Sequence, residues 1–280
     1  MSRRRALDRA FGALCLMATI LATVFLATLL FGLVRDGAAR ITPALLNNLP
    51  SRFPDRAGIK AAIAGTLWVV SLTALFAIPI GVAAAIWLEE YAKKSRWVTM
   101  LQTNIANLAG VPSIVYALLG LAVFVRTLAL GRSVLSGALT LSLLILPTVI
   151  LATQEALRAV PPSLREASFG LGASRWQTIQ RAVLPSASSG ILTGVILAIS
   201  RAMGETAPLV TIGAATFITY LPSSPMSGFT ALPLQIFDWA GRPQEAFHQN
   251  AAAASLLLLL VLLSINAVAI VLRQRQEIRS

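Results

Sequence analysis

Arg201 and Glu205 are the two charges whose surroundings in this sequence ask for an explanation. Arg201 closes an uncharged run over residues 182–200, and Glu205 follows four positions later. A guanidinium is a permanent cation with a planar fork of donors, and a carboxylate accepts hydrogen bonds and protons. On one helix face the two can pair, although Arg before Glu is the weaker order. Thr206 adds a hydroxyl beside the pair. Pro208 disfavours helical geometry at Ala207, so the helix is expected to bend or end there. Other chemistry is largely closed to the chain. Cys15 is the only cysteine and His248 the only histidine, which removes an internal disulfide and any cysteine- or histidine-based metal site. The lysines are Lys60, Lys93 and Lys94, and none stands in a glycine-rich phosphate-binding loop. ATP hydrolysis by P-loop chemistry is therefore excluded.

The elements that hold these charges are very apolar. Of 280 residues, 56% are apolar and only 12% charged, with a mean hydropathy of +0.77. An ordinary soluble domain carries roughly 25% charged residues. The composition excludes disorder. It also excludes a soluble nucleic-acid binder despite the net charge of +12, because such a protein needs a charged surface. Six runs lack any charge: residues 10–34, 61–88, 97–125, 133–154, 182–200 and 251–272. Each reaches the roughly 18 residues that cross about 30 Å of hydrocarbon. Backbone in lipid must satisfy its own hydrogen bonds, so these runs read as helices. The expected fold is all-α, a polytopic membrane protein with about six transmembrane helices. A seventh uncharged stretch, 206–237, contains Pro208, Pro222, Pro225 and Pro233 and reads as a loop or short, partly embedded segments. Pro79, Pro112 and Pro147 fall inside the second, third and fourth runs and are expected to kink them. Gly190 and Gly194 form a small-residue face suited to close helix approach.

Arg3, Arg4, Arg5 and Arg9 precede the first run, which fits a cytoplasmic N-terminus by the positive-inside rule. The run is longer than the core of a cleavable signal, so a retained helix is expected. Six crossings return the C-terminus to the cytoplasm. Fourteen basic residues then fall inside and eight outside, with Arg201 left within a span. Five of the outer eight cluster in the first outer loop. The expected organisation is a tail, first helix and outer loop over 1–60, a transmembrane domain over 61–272, and a cytoplasmic tail over 273–280.

One inner loop differs from the rest. Glu155, Arg158, Arg165, Glu166, Arg175 and Arg181 alternate with apolar residues. Pro161 and Pro162 break the segment, Ser163 is placed to cap a new helix with Glu166 at its third position, and Gly170 and Gly172 end it. Two short amphipathic helices are expected. Composition leaves two readings open, an interfacial helix on lipid or a docking element for a soluble partner.

Glu166-Ala167-Ser168, Gly172 and Leu184-Pro185 resemble the EAA loop of ABC importer permeases, with its spacing met throughout. Ser168 replaces the second alanine, and Ala182 stands where the pattern has isoleucine. The stretches 108–116, 201–209 and 231–235 resemble the phosphate importer permeases of the PstA/PstC type, and Arg242-Pro243-Gln244-Glu245 with the last span resembles the PstA member. The likeness covers about residues 60–272. It implies a type I ABC importer permease fold in a bacterial inner membrane. It implies that the loop 153–185 docks on an ATPase, with Glu166, Ala167, Gly172, Leu184 and Pro185 forming the coupling element. It also implies a second homologous permease, two ATPase subunits that bind the ATP, an external phosphate-binding protein, and no nucleic acid or cofactor of the chain's own.

Within that resemblance, Arg201, Glu205 and Thr206 are the expected path residues. A guanidinium fork matches a phosphate oxyanion, and Glu205 orients the fork or accepts a proton from protonated phosphate. If the helix starts near Ser186, Arg201 sits about 22 Å along it, in the outer third of the bilayer. The bland alternative is a structural pair in which Arg201 snorkels outward. At the level of function, another oxyanion such as molybdate or sulfate is the alternative substrate. An intramembrane enzyme is left only serine or carboxylate schemes, and no constellation in the sequence suggests one.

Overall fold

The computed structural model describes residues 2–93 and 95–277. Lys94, Arg279 and the end of the tail 273–280 lie outside the described residues. Twelve α-helices and no strand occur among the described residues. They are α1 (Ser2–Gly37), α2 (Pro43–Asn47), α3 (Lys60–Ile86), α4 (Arg96–Ala109), α5 (Ser113–Gly120) and α6 (Val134–Arg158), followed by α7 (Pro162–Gly170), α8 (Arg175–Thr178), α9 (Leu184–Gly204), α10 (Ala207–Thr211), α11 (Leu232–Ala240) and α12 (Glu245–Glu277). Single π-helical segments extend three of them: Trp87–Tyr91 after α3, Leu121–Thr127 after α5, and Ile179–Val183 between α8 and α9.

Five helical stretches among the described residues are long and apolar enough to cross a membrane: Leu7–Arg40, Lys60–Tyr91, Val134–Arg158, Arg175–Gly204 and Glu245–Val268. The run 97–125, expected as one helix, is instead two. Arg96–Ala109 and Ser113–Thr127 meet at 101°. Gly110 and Pro112 stand at the joint, where proline removes a donor and turns the chain. Pro79 and Pro147, by contrast, sit inside unbroken α3 and α6. The broken pair still joins opposite ends of the molecule. Val98 and Ile105 of α4 pack on Leu88 and Ile150, near the C-terminal ends of α3 and α6. Gly120 at the end of α5 presses on Thr140 near the start of α6, and the chain then runs directly into Ser133. The end of the molecule carrying α7 and α8 is called the loop end below, and the opposite one the far end.

The core forms where α3, α6 and α9 meet, with Val69, Leu141, Ile145, Ala198, Phe229 and Leu234 all buried. Hydrogen bonds buried between helices add register. Thr73 donates from Oγ1 to the Ala138 carbonyl at 3.3 Å, and Ser142 Oγ reaches the Thr73 carbonyl at 3.3 Å. The Leu232 N–H donates to Thr66 Oγ1 at 2.9 Å, which fixes the start of α11 against α3. The small-residue face found in the sequence is used inside this chain. Gly190 and Gly194 of α9 lie against Ala156 and Ala152 of α6, and a Cβ on Gly194 would stand 2.4 Å from that of Ala152.

The stretch 206–237 behaves as expected, with short α10 and the first part of α11 separated by irregular chain. At the far end, the Val134 and Leu135 N–H groups donate to the carbonyls of Ser227 and Pro225, at 3.0 and 2.8 Å, which seats this stretch over the start of α6. In contrast with the core helices, α1 shows its apolar side chains, from Leu7 to Val34, to the surroundings.

Gly194→Leu drives a side chain into Ala152 and is expected to cost about 1–3 kcal/mol. The purified protein should melt several degrees lower, while Gly12→Leu, which meets nothing within 4 Å, should leave the melting temperature unchanged.

Candidate functional site

The loop end is built around four charged side chains. Glu89 and Glu90 end α3 in its π-helical segment, and Arg158 and Arg165 flank the turn at Pro161. Arg165 is held on all sides. Its Nη2 and Nε donate to Glu90 Oε1 at 2.8 and 3.2 Å, and its Nη1 and Nη2 donate to the carbonyls of Val160 and Leu157, both at 2.9 Å. The two side chains are only 22% and 11% exposed, so solvent screens the pair weakly. Glu89 accepts from Arg158 and, at 2.8 Å, from the buried amide of Gln154. Arg175 at the start of α8 lies over the ring of Tyr91, 5.3 Å from its centre. The segment after α6 is thereby fastened to the end of α3.

Local sequence explains the shape of this elbow. Pro162 occupies the first position of α7, where its fixed φ is already helical and its missing N–H costs nothing. The helix therefore starts before Ser163, which does not serve as its cap; Pro161 stands at that position without a side-chain bond. Gly172 leaves α7 with φ +79°, a left-handed conformation that glycine adopts without strain. Ser174 and Gln177 then form a reciprocal capping box that opens α8. Ser168 hydroxyl shares a 2.9 Å hydrogen bond with Thr178 across the elbow, a link the alanine of the EAA pattern would lack.

The expected coupling residues separate into two groups. Glu166, Ala167 and Gly172 are exposed on the elbow, and Glu166 has no ion-pair or hydrogen-bond partner among the described residues. Leu184 and Pro185 lie at its root, where Leu184 packs beside Leu157, Val160 and Val183. Around the first group Phe169, Leu171 and Trp176 stand exposed, Leu171 by 89%. Glu89, Glu90, Tyr91 and Gln154 were not expected from sequence. The available signal was two adjacent glutamates directly after an uncharged run, in a chain with only 11 acidic residues.

At the far end α9 stops at Gly204, and Glu205 turns into extended backbone. Arg201 lies seventeen residues past Leu184, about 25 Å along the helix. Its Nε is 3.5 Å from Glu205 Oε1, a loose pair whose side chains are 45% and 19% exposed. Thr206 is half-buried beside them, at the entry to α10. The ring of Tyr116, on α5, is buried in the same cluster as Ala198 and Ala202, close enough to Arg201 for the two to interact electrostatically. Structure thus brings Arg201, Glu205 and Thr206 together and leaves the guanidinium with unspent donors. Gln235, at the end of the 231–235 block, is fully buried, and its side-chain amide has no partner among the described residues.

A family model described as the binding-protein-dependent transport system inner membrane component matches residues 77–279, which include both the elbow and Arg201. The chain belongs to this family. It is 32% identical over 275 residues to the phosphate transport system permease protein PstA of Xylella fastidiosa, covering 98% of this chain and 95% of that protein. It is 37% identical over 238 residues to the phosphate transport system permease protein PstA 1 of Mycobacterium tuberculosis, covering 83% and 75%. Among solved structures, the inward-facing MetNI methionine ABC transporter superposes with a TM-score of 0.62 at 16% identity, over 76% of this chain and 93% of the other. The fold is that of type I ABC importer permeases, in a multi-pass membrane protein whose relatives are ABC transporter permease subunits.

Arg165→Met removes the partner of a poorly solvated carboxylate and is expected to destabilise the elbow by about 1–3 kcal/mol. Hydrogen exchange should rise over residues 159–178 while α6 and the inner part of α9 keep their protection.

Proposed function

We propose that this chain is one half of the membrane path of an ATP-driven inorganic phosphate importer. It stands beside a second, homologous permease, receives phosphate from an external binding protein, and is driven by two cytoplasmic ATPase subunits that bind the ATP. The loop end faces the cytoplasm together with both termini. The excess of basic residues at that end supports this orientation, with Arg158, Arg165, Arg175 and Arg181 among them. The exposed apolar side chains of Phe169, Leu171 and Trp176 support docking on a protein groove, with Glu166, Ala167 and Gly172 at the contact and Leu184 and Pro185 at the hinge of the elbow.

The observation that carries the reading is the state of Arg201. It is a cation on a span, held by a single 3.5 Å contact and half exposed, on a fold whose PstA-named relatives match it over nearly its full length. A guanidinium in that state has donors free for two oxygens of one phosphate. Glu205 holds the fork without saturating it, and it favours a protonated phosphate over a fully ionised one, because two anions repel. Thr206 supplies a further hydroxyl. Phosphate undergoes no covalent change here; the path opens to one side at a time as the elbow moves.

Arg201→Gln should insert and assemble normally but take up no phosphate into proteoliposomes carrying the full complex. Uptake at the wild-type rate would remove Arg201 from the path. Gly172→Leu forces a branched side chain into a left-handed backbone, at about 1–2 kcal/mol, and adds bulk to the docking face. Less ATPase should co-purify with this variant, and unchanged co-purification with unchanged transport would count against docking at the elbow.

A further inference from the structure

Among the described residues, one side-chain hydrogen bond crosses the joint between α4 and α5. In an unbroken helix the N–H of residue 112 would donate to the carbonyl of Leu108, and Pro112 has none. The Leu108 carbonyl instead accepts from the Val111 N–H at 3.0 Å and from the Tyr116 hydroxyl at 2.8 Å. Tyr116 thus reaches back across the 101° bend from the first turn of α5 and ties the two halves together. Val111 at the joint packs against the same cluster as the tyrosine ring, and α4 itself has no buried residue. The tyrosine ring meanwhile packs in the cluster that contains Ala198 and Ala202, the residues on either side of Arg201 along α9. At its other end α4 rests on Leu88, next to Glu89 and Glu90.

We propose that Tyr116 is a positioning residue for transport: its hydroxyl latches the α4–α5 joint and, through that joint, sets where α5 stands against α6 and against α10, the helix that follows Arg201, Glu205 and Thr206 in the chain. This rests on the reading of Arg201 as a path residue. The latch gives the broken span a purpose. Movement of the clamped loop end at Leu88–Glu90 enters α4, crosses the joint, and passes through α5 to α10, directly after the Arg201–Thr206 turn. Tyr116 touches no phosphate in this scheme and acts by geometry.

Spin labels at Ala106 and Leu118, both exposed, measure the joint in a Cys15→Ser background within the assembled complex in proteoliposomes. The latched joint should give one narrow distance distribution. Tyr116→Phe should broaden it and lower phosphate uptake at least fivefold, with normal assembly. Adding Pro112→Ala returns an N–H to residue 112, so the double variant should show a narrow distribution again, at a longer distance, with uptake still low. A wild-type distribution in Tyr116→Phe overturns the latch, whether uptake falls or not. A broadened distribution with wild-type uptake overturns its role in transport. Failure of the unmutated complex to move phosphate would strike the reading of the path instead, and the distance comparison would still test the latch.

Discussion

Two neighbouring carboxylates at the end of α3 grip two arginines on either side of the turn at Pro161, and the loop end takes its form from that grip. Arg165 spends its fork on Glu90 and on two carbonyls near the C-terminus of α6. The Leu157 carbonyl stands in the last turn of α6 and also accepts from the Val160 N–H at 3.3 Å, and the Val160 carbonyl lies just past the helix end. Alone, Arg165 or Glu90 would be costly in a poorly solvated place; paired, Arg165 spends its donors on Glu90 and the two carbonyls, while Arg158 stays half in the open as it bonds Glu89. As a result α3, α6 and the elbow form one body. In the proposed importer, a push on α7 is delivered to two spans at once and is not absorbed in a flexible loop.

The far end is made the opposite way. Arg201 and Glu205 stand 3.5 Å apart with the arginine half in the open. Glu205 is already extended backbone, so the pair lacks the helical frame that would draw it closer. In the proposed importer, the tight charge pairs at one end serve to transmit force, and the loose pair at the other leaves a cation free to exchange partners. Between the two ends α9 is laid closely on α6 through Gly190 and Gly194.

Much of this was legible in the residues. Uncharged runs of sufficient length can satisfy their backbones in lipid only as helices, and five of the six expected spans are continuous. The elbow was legible from the positions of Pro161, Pro162, Gly170 and Gly172, because proline and glycine act through local backbone geometry. What sequence could not supply were choices made by tertiary neighbours. Pro79, Pro112 and Pro147 look alike in apolar runs, yet only Pro112 breaks its helix, where Gly110 precedes it and the Tyr116 hydroxyl takes over the freed carbonyl. Ser163 had the right spacing for a cap and lost the role to Pro162, which was already helical one position earlier. Glu89 and Glu90 lie about seventy positions from their arginines, a distance no local pattern reveals.

The grip of α3 on the elbow is most directly tested by exchanging its charges. Glu90→Arg, Arg165→Glu and the double variant would each be assembled with the partner subunits, and phosphate uptake driven by ATP would be measured in proteoliposomes. Each single exchange places like charges face to face and should abolish uptake, and the double exchange should restore a substantial part of it. Full uptake in either single variant would contradict a clamp that carries the motion.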